Sequence, residues 1–142
     1  MSVIIDLFDR NVIGWSLSSD VETVHTTVRA LEMAVRNRET QKELIFYADR
    51  GAQECVECFG AVLRETCPFV RQSMSRKGNC GDNACAELFF KTLKSELETL
   101  DGKHFVAEVR QLVFFYLEAY YNRIRIHLAL DYVAPNMYGN VA

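Results

Sequence analysis

An α/β fold, a mixed sheet with helices packed on it, is predicted for this sequence by three observations. Two short β-prone runs, Val3–Phe8 and Val12–Leu17, flank Asp9-Arg10-Asn11 and read as an antiparallel hairpin. Two later β-prone stretches, Leu44–Tyr47 and one near Phe69–Gln72, each follow a segment of helical periodicity. Two longer helical segments then close the chain. Strands alternating with helices imply crossovers, which are right-handed and bring the later strands parallel to one another.

Each element has its own local cause. In the first run Val3, Ile5 and Leu7 share one face, and Ile4, Asp6 and Phe8 share the other. Ser19-x-x-Glu22 is a capping box that opens a helix, along which Val21, Val24, Val28, Leu31 and Val35 form an apolar stripe. The strand Leu44–Tyr47 runs into Ala48-Asp49-Arg50-Gly51, and a helix from about Gln53 to Glu65 follows. Ser73–Gly81 is a polar loop with two basic residues. Asp82 can cap the next helix, Asn83–Leu100, which Asp101-Gly102 ends because glycine accepts the left-handed conformation. The last helix runs from about Phe105 to Arg123, and Pro135 marks an irregular tail. No repeat or linker divides residues 1–142, so a single domain is expected. The element order is most of a ribonuclease-H-like fold: a mixed sheet of about four strands with flanking helices, lacking the strand that would precede Val3.

Composition narrows the class. The chain has 142 residues, of which 49% are apolar and 25% charged, as suits a globular protein. No apolar run approaches the roughly 18 residues that span a bilayer. The start has no basic region and places Asp6 within its first apolar stretch, which argues against a signal peptide. Five cysteines form an odd set, read as reduced thiols in a cytoplasm. Cys55-x-x-Cys58 invites a zinc or redox reading, but the spacing is not duplicated and both fall in a helical segment. Buried free cysteine, acting as a small hydrophobe, is the favoured reading.

The net charge of −3 excludes a protein that coats nucleic acid indiscriminately. Its distribution says more. Residues 1–67 carry 7 basic and 11 acidic side chains, whereas residues 68–127 carry 9 basic and 7 acidic. Any DNA contact should concentrate in the second half, where Arg71, Arg76, Lys77, Lys91 and Lys94 cluster, although on charge alone an ordinary mixed surface is the favoured reading.

Two acidic residues stand out. Asp49 follows a buried-strand pattern and precedes a glycine, where α/β sheets usually bind ligands, although a turn-forming aspartate fits equally. Glu87, Lys91, Lys94 and Glu98 fall within about 60° of one another on their helix, opposite Phe89, Leu93, Leu97 and Leu100. By itself that pattern also describes a solvated face laced with salt bridges. His25, His104 and His127 have no partners at metal-ligand spacing. Tyr116, Tyr120 and Tyr121 read as core or interface aromatics.

A resemblance shifts the balance. Ser73-Met74-Ser75-Arg76-Lys77-Gly78-Asn79-Cys80, Asp82-Asn83-Ala84 and Glu87-Leu88-Phe89-Phe90-Lys91-Thr92-Leu93-Lys94-Ser95-Glu96 together resemble a signature of bacterial insertion-sequence transposases of the retroviral-integrase superfamily. Ile5-Asp6-Leu7-Phe8-Asp9-Arg10 with Gly14-Trp15-Ser16, Asp49-Arg50-Gly51 with Gln53, Tyr121-Asn122 with Arg125 and His127, and Ala134-Pro135 are similar in the same order. The resemblance implies an integrase catalytic core that cleaves DNA and transfers strands with Mg²⁺ or Mn²⁺. Asp49 and Glu87 would be the second and third acids of an Asp-Asp-Glu triad. Lys94 would hold a DNA phosphate, with Lys91, Arg76, Lys77 and Asn83 as further DNA contacts. Carboxylates suit Mg²⁺ as hard oxygen ligands, and two ions flanking one phosphate serve both attacking and leaving oxygens.

This chain departs from the pattern. The first acid belongs on the strand expected before Val3, and Asp6 lies too close to Asp49 to replace it. Tyr47-Ala48 stands where His-Ser is common, and Glu54 where an aromatic is usual. The 37 residues between Asp49 and Glu87 slightly exceed the family's spacing. The expectation is therefore a core inactive by itself, binding metal weakly if at all, with DNA as partner and a homodimer as the assembly. The alternatives are a non-catalytic DNA-binding or dimerisation remnant, and a structure-selective nuclease of the same fold.

Overall fold

Strands β1 (Ser2–Ile5) and β2 (Val12–Ser16) form the antiparallel hairpin. They belong to a computed structural model that describes residues 1–18, 23–38, 44–48, 60–65, 68, 70–74, 84–97 and 106–138. Ile4 pairs with Gly14 but Ile5 with Val12, so Ile13 is an extra residue in a β-bulge. The bulge matters because strand side chains alternate. It turns Val12 to the same side as Val3, Ile5 and Trp15, leaving Ile4 and Gly14 on the other.

Helix α1 (Thr23–Asn37) packs on the Gly14 side. Val28, Leu31 and Val35 of the expected stripe do face the core. The closest approach, however, is made by Ala30 and Ala34, which are 0% and 4% exposed. A Cβ on Gly14 would collide with the Ala30 carbonyl and lie 2.9 Å from the Ala34 Cβ. Small residues on both elements let the helix lie directly on the strand. The capping box and Val21 lie outside the described residues.

Strands β3 (Leu44–Ala48) and β4 (Val70–Met74) are parallel, as expected, with helical residues 60–65 (α2) between them in sequence. Among the described residues the four strands form two sheets of two, where a single mixed sheet was expected. Among the described residues no ladder joins β1–β2 to β3–β4. They share an apolar cluster instead: Ile4, Phe46 and Val70 pack with residues of α1 and α2 around Leu31 and Leu63. Side-chain burial, rather than backbone pairing, brings the later strands to the hairpin.

The other side of the hairpin carries α3 (Ala84–Leu97), α4 (Val106–Phe114) and a π-helical continuation, Phe115–Tyr121. Val12, Phe89, Leu93, Val113, Tyr116, Leu117 and Tyr121 are buried there. The π-helix was not foreseen. Its closing bonds span five residues, Asn122 N–H to Leu117 O at 3.1 Å and Arg125 N–H to Tyr120 O at 2.8 Å. Residues five apart stand about 140° apart on an α-helix but only about 50° apart on a π-helix. The wider winding thus turns both Tyr116 and Tyr121 inward. A 3-10 turn (Leu128–Leu130) and a short helix α5 (Pro135–Tyr138) follow. Pro135 therefore opens a helical turn instead of an irregular tail, at the position where a missing N–H costs nothing.

Candidate active site

Helix α3 owes its orientation to what it buries and bonds on one side. Phe89 and Leu93 are buried, and Phe90 and Leu97 pack beside them. Glu96 accepts a hydrogen bond from the Tyr116 hydroxyl (2.7 Å) and another from Arg125 Nε (3.0 Å). Burial, then the bond to Glu96, pushes the Tyr116 phenol well above its ordinary pKa. Glu96 lies about 180° around the helix from Glu87. One carboxylate of α3 therefore fastens the helix while the other points away from the protein.

Glu87, Lys91 and Lys94 are all exposed on that outward face, with Lys94 about 10 Å along the axis from Glu87. Among the described residues Glu87 makes no hydrogen bond or ion pair, so the expected alternative of Glu–Lys bridges along this face is not what the structure contains. An unengaged carboxylate flanked by two lysines can accept a hard cation and attract a phosphate.

Asp49, Arg76, Lys77 and Asn83 lie outside the described residues. Strand β3 ends at Ala48, the residue before Asp49 in sequence. Among the described residues no three His, Cys, Asp or Glu side chains gather to hold a metal ion. Asp6 is already engaged: it accepts the Phe8 N–H at 2.9 Å and stands 3.5 Å from Arg38. Arg38 also reaches the buried Asp9 at 2.7 Å. Burial opposes the Arg38 charge, but Asp9 and then Asp6 outweigh it and raise its pKa. Cys85 is a free thiol, whereas Cys55, Cys58, Cys67 and Cys80 lie outside the described residues.

Sequence reasoning gave too little weight to two residues of the hairpin–helix junction. Asn122 is buried, and its amide both accepts from the Val12 N–H (2.9 Å) and donates to the Val12 carbonyl (3.0 Å). It pairs with β2 as a neighbouring strand would, with Asn37 donating to the Ile13 carbonyl beside it. The other residue is Arg10, whose backbone is left-handed (φ 61°). Its Nη1 donates to Cys85 Sγ at 3.0 Å, two residues before Glu87. Tyr121, His127 and Arg125 surround this junction: the His127 ring meets Tyr121 edge-on at 4.9 Å, and Arg125 lies 5.8 Å over the Tyr121 ring. Burial, then repulsion from Arg125 and Arg10, lowers the His127 pKa, and burial pushes the Tyr121 phenol up to about 12. The signals were Asp9-Arg10-Asn11 and Tyr121-Asn122-x-x-Arg125-x-His127, noted as turn and motif without a contact to explain them.

A polar cleft of about 380 Å³ also opens between the hairpin turn, the end of α1 and the end of the π-helix. Asp9, Asn11, Arg38, Glu118, Arg123 and Asn136 line it, and none of the sequence-derived site residues does.

Comparison with known proteins gives consistent matches. One family model described as an integrase core domain matches residues 1–80, and a second of the same description matches residues 69–135. The chain is 40% identical over 142 residues to the transposase InsF for insertion sequence IS3A of Escherichia coli (strain K12), covering 99% of this chain and 48% of that protein. It is 41% identical over 138 residues to the transposase for insertion sequence element IS904 of Lactococcus lactis subsp. lactis, covering 95% and 52%. The chain thus spans about half the length of the curated relatives it matches.

Proposed function

Since the chain belongs to the integrase-core family found in insertion-sequence transposases, we propose that it is the acid-bearing part of a polynucleotidyl transferase that cleaves DNA and joins its ends. The observation that carries this reading is the outward face of α3. Among the described residues it offers Glu87 without a partner beside two exposed lysines, on a helix fixed from behind. Asp49 and Glu87 are the ligands for Mg²⁺ or Mn²⁺. The donor set fits only in part, because Glu87 is a suitable hard oxygen ligand but among the described residues no group of three His, Cys, Asp or Glu side chains gathers to hold an ion. A bound ion would supply charge stabilisation to a phosphodiester and a more acidic attacking water. Lys94 and Lys91 hold the phosphate backbone and contribute little to base choice. Arg76, Lys77 and Asn83 extend that contact. With Asp49 and Glu87 as the two acids it supplies, the chain alone should bind metal weakly and transfer no strand.

DNA should bind weakly, with strong salt dependence and little sequence preference. Lys94→Ala should weaken binding, whereas Lys42→Ala should leave it unchanged. The deciding assay compares this chain with a longer form bearing an upstream Asp-containing strand, in Mn²⁺. Cleavage by the longer form, abolished by Asp49→Asn or Glu87→Gln, is expected. Equal cleavage by the short form would contradict the two-acid reading, and DNA binding without cleavage by either form would indicate a non-catalytic remnant. A homodimer is proposed through α4 and the π-helix, where Phe114 and Phe115 are 48% and 54% exposed. Light scattering that returns a monomer at micromolar concentration would contradict it. Among the described residues no helix is long and apolar enough to cross a membrane.

A further inference from the structure

The junction between the hairpin turn and α3 contains polar groups that the packing does not match. Arg10 is partly buried, yet its one hydrogen-bond partner among the described residues is the Cys85 thiol, a weak acceptor. Among the described residues no carboxylate lies within ion-pair distance of it. Glu96, an acid that acts on this cluster, is already engaged by Tyr116 and Arg125. His127 Nε2 is buried without a hydrogen-bond partner. Among the described residues, a guanidinium held against a thiol, with a second arginine close by and no acid paired to it, is a cation lacking its anion. Arginine's forked donors match a phosphate better than a lysine does.

We propose that Arg10 is a DNA-binding residue, whose guanidinium takes a backbone phosphodiester beside the first turn of α3. This rests on the DNA-joining reading above and extends the contact surface from Lys91 and Lys94 to the hairpin turn. The geometry sets the order of contacts. Cys85 precedes Glu87 by two residues, so a phosphate at Arg10 lies on the amino-terminal side of Glu87, and one at Lys94 lies on the carboxyl-terminal side. Around the helix axis Cys85 stands about 160° from Glu87, so Arg10 meets α3 on its packed side, and DNA touching both must pass round the amino-terminal end of the helix.

The test uses the 142-residue chain and a fluorescently labelled DNA duplex, with affinity read by anisotropy across a salt series. Arg10→Gly is the informative variant. Glycine tolerates φ 61° better than arginine, so the melting temperature should hold or rise while the guanidinium is lost. The expected result is weaker binding together with a fall of about 0.9 in the slope of log K against log salt, the signature of one lost phosphate contact. Arg10→Lys should restore the slope and only part of the affinity. An unchanged slope for Arg10→Gly overturns the proposal, even if affinity falls, since a purely structural role would not alter the number of ions released. If Lys94→Ala lowers the slope and Arg10→Gly does not, the Arg10 contact fails while the DNA reading stands. If the wild-type chain binds no DNA, both fail. Inorganic phosphate, raised at constant ionic strength, should not displace the duplex; displacement would assign the cluster to a free anion and overturn the DNA contact.

Discussion

Behind α3 the structure gathers seven buried residues from β2, α3, α4 and the π-helix, whereas beneath β3 and β4 it gathers two, Leu31 and Leu63, among the residues described. The first cluster is also tied by side chains, through Trp15 Nε1–H to Glu118, Tyr116 to Glu96 and Asn122 to Val12. The second is covered on one face. Phe46 and Val70 turn toward α1 and α2, while Ile45 and Tyr47 on the opposite face of β3 are 51% and 52% exposed. Parallel strands normally bury both faces. The two candidate acids therefore rest on unequal supports. Glu87 stands on a helix fixed from behind by packing and hydrogen bonds, and Asp49 follows a strand with a thin foundation. If Glu87 and Asp49 act together as proposed, α3 is the better-supported half of that pair.

Cavity-forming substitutions give the sharpest contrast. Leu117→Ala in the large cluster and Leu63→Ala in the small one each remove a side chain that is 0% or 1% exposed. The first should cost near the top of the about 2–5 kcal/mol range for such changes, and the second near its bottom. Urea unfolding measures both, and equal losses would erase the distinction between the clusters.

Asn122→Ala probes the seam on which the large cluster closes. It strands the Val12 N–H and carbonyl in a buried site, so a loss of about 2–3 kcal/mol is expected. Val12→Ala, which keeps the backbone bonds and removes two methyl groups, should cost less. The reverse order would mean that the amide pairing adds little beyond packing.

The smallest effect is a pH dependence confined to the same region. The His127 pKa in the folded state is lowered from its ordinary 6.5, by burial first and then by Arg125 and Arg10. The unfolded chain therefore takes up the proton first as pH falls. The stability tied to the neutral imidazole is full above about pH 6.5 and is lost as pH drops through the lower folded value. His127→Phe should flatten the melting temperature between pH 7 and 5, and an unchanged acid slope would place its cause elsewhere.

Much of the fold was legible because its causes are local. Alternating apolar residues and a turn made the hairpin readable, and the spacing of Phe89, Leu93 and Leu97 made α3 and its outward Glu87 readable. The π-helix was not, because Leu112–Tyr121 satisfies α-helical and π-helical winding alike until Tyr116 and Tyr121 must both enter one core. The bulge at Ile13 and the close contact of Gly14 with Ala30 and Ala34 were hidden for a similar reason: each answers to a neighbour far away in sequence.

For the site, the sequence by itself determined which side chains could do chemistry. A carboxylate at position 87 with lysines four and seven residues later must share one helical face, wherever that helix packs. The apolar spacing also pointed that face outward; only the tertiary structure decided what holds it there, by burying Phe89 and Leu93 against the hairpin and helices and by occupying Glu96 with Tyr116 and Arg125. It also decided that Asp6 is bound up with Arg38 and that Arg10 reaches α3, since neither contact follows from chain spacing. Periodicity fixes angles within an element. Distances between elements are fixed only when their side chains compete for the same buried space.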